Sequence, residues 1–260
     1  MATEILIINQ CSVLSDANVQ AVIPAVQAQV SEDFAPIWNT DATLQFLGRG
    51  HRVPRGIWPL YLLDHSDQPG ALGYHLDEHG RIEGKVFAAD DQRYGVSWTV
   101  DLTHELLEML GDPTTNNLIN LPDGRQCIRE VCDAVEDDSI GYMKNGVLVS
   151  DFVTPAYFFE SNDTKYDFCG RLTGPAPALT PGGYLGIYDP TTGQWTQVTA
   201  RLQNGQQSYR SRRHGRTAQK SVDNLDKTGA ARTRPAGLVR RCRLRTRRRA
   251  LCGRGQPRPA

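Results

Sequence analysis

Charge divides this 260-residue chain into two unlike parts and decides which of them can fold. Residues 1–200 carry 11 Lys and Arg against 27 Asp and Glu, a net of −16, whereas residues 201–260 carry 18 against 2, a net of +16. The second part holds 16 arginines, clustered at Arg240-Arg241, Arg243 and Arg247-Arg248-Arg249, and few large apolar side chains. Such a segment cannot bury enough apolar surface to offset the entropy of ordering it. It reads as an Arg-rich disordered tail, and residues 1–200 read as the folded domain. The acidic body repels nucleic acid, so any nucleic-acid binding belongs to the 201–260 tail. A merely solvated end, or a GC-rich gene translated in a shifted frame, has the same texture.

Several functional classes fall away. The N-terminal apolar run Ile5-Leu6-Ile7-Ile8 follows Glu4 rather than a basic segment and is too short for a secretory signal. No stretch of about 18 apolar residues exists to span a membrane. The expected location is cytoplasmic or virion-associated. Six cysteines are too few for a disulfide scaffold and are expected to be reduced, a Cys132–Cys169 bridge being the alternative if the protein leaves the cell. Neither GxxxxGK[ST] nor GxGxxG occurs, and GxSxG is missing as well.

Periodicity predicts a strand over residues 4–9 and a helix from Ser15-Asp16 to about Phe34, with Pro24 as a kink. Strands follow at 43–47 and 57–63, then an edge hairpin at 72–76 and 81–89 and a strand at 94–100. A helix over 102–110 stops at Gly111-Asp112-Pro113. From 114 to 199 the helical signal gives way to loops and short strands. The order is that of an α+β fold with a mixed sheet.

The second helix carries the chemistry. At about 100° per residue, His104, Glu105, Glu108 and Asp112 share one quadrant and Leu102, Leu106, Leu107, Met109 and Leu110 cover the other side. His104 and Glu108 stand one turn apart, the spacing by which two side chains of one helix grip one ion. The arrangement is that of a zinc-binding HExxH helix with the second histidine replaced by a carboxylate. An oxygen-rich site also suits Ca2+, Mn2+ or Mg2+. The alternative for this face is the solvated side of an amphipathic helix. A third ligand has to come from the polar cluster Arg129-Glu130-Val131-Cys132-Asp133-Ala134-Val135-Glu136-Asp137-Asp138, whose acids otherwise read as a solvated loop.

The run His104-Glu105-x-x-Glu108, Asp112-Pro113, then Glu130-x-x-Asp133 and the apolar segment 151–158, resembles a group of zincin-like metallopeptidases with an HExxE…DP…ExxD pattern. The likeness covers about residues 4–200, and its specific part is 103–133. It implies the zincin fold, bound Zn2+ and hydrolysis of a peptide or protein substrate. Gly111 and the Cys132 inside the ExxD element depart from the pattern and leave the third ligand open between Asp133 and Glu130.

A catalytic zinc needs three protein ligands and one open position. On that requirement His104, Glu108 and Asp133 (or Glu130) hold the metal and Glu105 is the general base. Asp112 supports His104 or the helix end, and Tyr142 and Tyr157 are candidates to meet a developing oxyanion or else half-buried aromatics. His51, His65, His75 and His79 lie at no ligand spacing and read as surface or hydrogen-bonded residues. Cys127 and Cys132 lack the spacing of a structural zinc knuckle. The competing expectation is a non-catalytic zincin-like binding or assembly protein, as in a phage particle, with a structural or vestigial metal site.

Overall fold

The computed structural model describes residues 2–68 and 70–201. The tail expectation, apart from Arg201, lies outside the described residues.

Strand β1 (Thr3–Asn9) is an inner strand of a five-stranded mixed sheet, and its apolar run is covered on both faces, as a parallel strand requires. It pairs in parallel with β2 (Ala42–Leu47) and β3 (Trp58–Leu63). Beyond β3 lies the parallel β5 (Arg81–Phe87), then the antiparallel edge strand β4 (Gly73–Glu78), giving the order β2-β1-β3-β5-β4. The β1–β2 crossover begins at α1 (Asp16–Ala28), where Ser15 and Asn18 form a reciprocal capping box. The helix runs through Pro24, continues as a π-helical turn at Gln29–Phe34 and ends with α2 (Ala35–Trp38), closed by Asn39 at φ 54°.

The strand expected at 94–100 does not form. Residues Ala88–Tyr94 are helix α3, Gly95 terminates it at φ 70°, and Ser97 precedes α4 (Trp98–Gly111). Gly95 and Ser97 are stop and start signals, and tertiary packing overrides the β preference of Thr99 and Val100. Every residue of α4 from Thr99 to Gly111 is buried, because the helix lies between β4–β5 on one side and the second half of the chain on the other. Its polar face is therefore not a solvated one.

The second half consists of short strands and loops. Strands β6 (Leu118–Asn120), β7 (Gln126–Ile128), β10 (Tyr184–Asp189) and β11 (Gln194–Thr199) form an antiparallel sheet in the order β11-β10-β7-β6. Strands β8 (Tyr142–Lys144) and β9 (Val147–Val149) form a separate hairpin, and α5 (Pro155–Phe158) follows. Phe152 ties this half to the first, with its ring 5.1 Å from those of both Phe34 and Phe168. Phe152→Ala is expected to cost about 3–5 kcal/mol, read as a lower urea midpoint at constant slope. No helix among the described residues is long and apolar enough to cross a membrane. Cys11, Cys127, Cys132 and Cys169 are all free.

Candidate metal centre

Helix α4 brings His104, Glu105 and Glu108 to one side, and each is less than 5% exposed. His104 Nε2 stands 3.2 Å from Glu108 Oε1 and 3.4 Å from Asp133 Oδ1. Ligands about 2.0–2.3 Å from a tetrahedral zinc are separated by about 3.3–3.8 Å, so these separations fit a shared ion. Asp133 opens a short 3-10 turn, Asp133–Val135, against which β10 packs. The tight approach needs Gly183, since a Cβ there would strike the Ala134 carbonyl.

The open question of the third ligand acquires another answer. His104, Glu108 and the Cys132 thiol present ligand atoms that all lie within 4.8 Å of one another. Cys132 also donates its backbone N–H to Glu108 Oε1 at 3.3 Å. Asp133 remains beside His104, whereas Glu130 groups with a different imidazole, that of His75.

His75 is the functional residue that spacing missed. It is hydrogen-bonded, as one of its expected readings had it, but at the centre of the site. Its Nε2 lies 3.1 Å from the Asp112 carbonyl oxygen. Its Nδ1 lies 3.6 Å from Glu105 Oε2 and 3.7 Å from Glu108 Oε2, and Glu130 Oε2 is 3.9 Å from its Nε2. The available signal was alternation: Gly73 and His75 are the buried positions of the edge strand facing α4, with Tyr74 between them. His51, His65 and His79 are exposed, as expected.

Glu105 packs against the same strand. A Cβ at position 73 would lie 2.5 Å from Glu105 Oε1, so only glycine leaves room for the carboxylate. Glu105 Oε2 and Glu130 Oε2 are buried with no hydrogen-bond partner among the described residues. Buried polar atoms without partners are costly, and a cation is the partner that carboxylates in this setting want.

Electrostatics agree. Burial pushes Asp133 up to about 7, helped by Glu108 and opposed by His104. Burial likewise raises Glu130 and Glu136 well above the usual carboxylate range, with Glu108 and Asp112 adding to the shift of Glu130 and His104 opposing that of Glu136. Burial alone would lower His104 and His75, but Glu108 and Asp133 raise the first, and Glu105 and Glu108 raise the second. Without an ion, protons do the neutralising.

Some expectations are corrected. Glu136 is fully buried near His104 rather than part of a solvated loop, because the 3-10 turn folds back under β10. Of its two expected roles, Asp112 takes the one at the helix end: it closes α4, and its carboxylate accepts from the Asn117 backbone N–H at 2.9 Å and from the Asn117 side chain, fixing the loop that follows. The Tyr142 hydroxyl donates to Asp33 and the Tyr157 hydroxyl to the Ala178 carbonyl, both at 2.8 Å. Both hydroxyls are thus engaged away from the His104–Glu108 pair. The tyrosine that does meet the centre is Tyr184, hydrogen-bonded to Asp133. Nothing in its local sequence marks it as a site residue: β10 forms a local hairpin with β11, and it is the long-range pairing with β7 that joins this hairpin to the rest of the sheet. No family model, no curated protein and no solved structure matches the chain.

Proposed function

We propose that the chain is a metal-dependent hydrolase of zincin-like type, acting on peptide bonds. The observation that carries this reading is Glu105. Its buried carboxylate, with Oε2 3.6 Å from His75 Nδ1, stands next to the ligand pair His104–Glu108 on the same helix and against the edge strand. His104 and Glu108 would hold the ion, with Cys132 or Asp133 as third ligand. Zinc so held supplies Lewis acidity. Glu105 takes the proton of an attacking water and returns it to the departing amine. The edge strand β4 presents the border along which an extended substrate adds.

The test combines metal analysis of the full chain with cleavage of an unstructured protein substrate. Bound zinc and chelator-sensitive cleavage support the reading, and a metal-free chain overturns it. Gly73→Ala sharpens the test, because the added methyl has to displace the Glu105 carboxylate. The expected result is at least tenfold slower cleavage with a stability loss of about 1–3 kcal/mol, followed by product analysis and urea unfolding.

Burial favours a second reading. His104 is 1% exposed and Glu108 4%, and structural metal sites are closed while catalytic ones keep an open position. On that reading the ion fastens α4 to the second half, and chelation unfolds the protein without any hydrolysis to lose.

A further inference from the structure

The two oxygens of one carboxylate face two different imidazoles. Glu108 Oε1 is 3.2 Å from His104 Nε2, and Glu108 Oε2 is 3.7 Å from His75 Nδ1. We infer that Glu108 bridges two divalent cations, the first held with His104 and Cys132 or Asp133, the second with His75 and Glu130. This rests on the reading that His104 and Glu108 hold an ion, and extends it to a second centre that no sequence motif marked.

Three observations carry it. The Asp112 carbonyl can only accept, so Nε2 of His75 holds a proton, and the other ring nitrogen, Nδ1, faces Glu108 and Glu105 and offers a lone pair to an ion that displaces its proton. A backbone carbonyl orienting an imidazole in this way is the usual support of a metal-bound histidine. Second, Glu130 Oε2 is buried without a hydrogen-bond partner and reaches the His75 ring on its Nε2 side at 3.9 Å, while one ligand atom each of His75, Glu108 and Glu130 lies within 4.8 Å of the others. Third, Glu105, Glu108, Glu130, Asp133 and Glu136 are all buried around two imidazoles. The neighbouring Arg129 turns one end of its guanidinium to the Gly111 carbonyl instead. One divalent ion offsets the charge of two of these carboxylates and leaves the others to be neutralised by protons, whose place a second ion can take.

The ions of two-metal sites sit about 3.5–4 Å apart, close enough for magnetic coupling through a bridging carboxylate. The full chain, stripped and then equilibrated with Mn2+, is assayed by elemental analysis and electron paramagnetic resonance. The expected result is two ions per chain with an exchange-coupled spectrum. In Glu130→Gln and His75→Ala, one ion and the hyperfine pattern of an isolated Mn2+ are expected. Glu130→Gln keeps the side-chain shape, so it reports even where His75→Ala fails to fold. One ion per wild-type chain, with an uncoupled spectrum, overturns the second centre and leaves the first standing. No bound ion under any condition overturns both.

Discussion

Glu105→Gln is expected to slow cleavage by about 10²–10⁴-fold while leaving the ion at the His104–Glu108 pair in place. Glutamine fills the same space against Gly73, so the loss would report proton transfer and not packing. It accepts no proton from water at neutral pH, which removes the base while retaining a polar side chain. The measurement is kcat on an unstructured protein, with metal content and thermal midpoint taken on the same sample. Unchanged cleavage with retained metal would move Glu105 out of the chemistry. Loss of the ion in this variant would show instead that Glu105 is a ligand.

Removing the ion has the largest expected effect on stability. A cation present at a thousand times its dissociation constant contributes about 4 kcal/mol, and in a domain of this size chelation should lower Tm by roughly 8–16 °C. The pH response should then change sign. In the ion-free protein Asp133 sits near 7 when folded against an ordinary value of 3.8, and Glu130 and Glu136 are raised in the same direction. His75 and His104 are raised as well. All five groups bind protons more tightly in the folded state, so stability rises as pH falls: the two histidines contribute only down to their ordinary 6.5, and the three carboxyl groups carry the rise from about 7 to about 4. Acidification by two units within it is expected to raise the Tm of the stripped protein by roughly 5 °C. The ion-loaded protein should do the opposite, since protons compete with the metal for the same groups. Calorimetry of the two forms at matched pH values checks both signs, and a stripped protein that weakens with acid would contradict the burial of these carboxylates.

The legible part of the site was the part that lies within one helix. A turn of α4 places His104 beside Glu108 whatever the rest of the chain does, because the i, i+4 neighbourhood is a property of helix geometry. Gly111-Asp112-Pro113 marked the helix end for an equally local reason, and the hairpin around His79-Gly80 was readable from turn residues, with φ values of 57° and 85°. The start of α4 was misplaced, since a β-branched pair at Thr99-Val100 resembles a strand until its burial is known. The roles of Glu130, Cys132 and Asp133 stayed open for a different reason. They follow one another within four positions, and which of them points at His104 depends on the path of an irregular segment.

Sequence alone, then, determined that the described residues mix helix and sheet, and that one helical turn can offer an imidazole and a carboxylate to one ion. Tertiary structure decided what those groups meet. Pairing β4 against β5 carried His75 and Gly73 onto α4, and pairing β10 with β7 brought Tyr184 over the Asp133 turn. The division has a physical cause: backbone geometry ties residues three or four apart, while contacts between distant residues exist only once the core closes and drives buried carboxylates to share whatever positive charge is within reach.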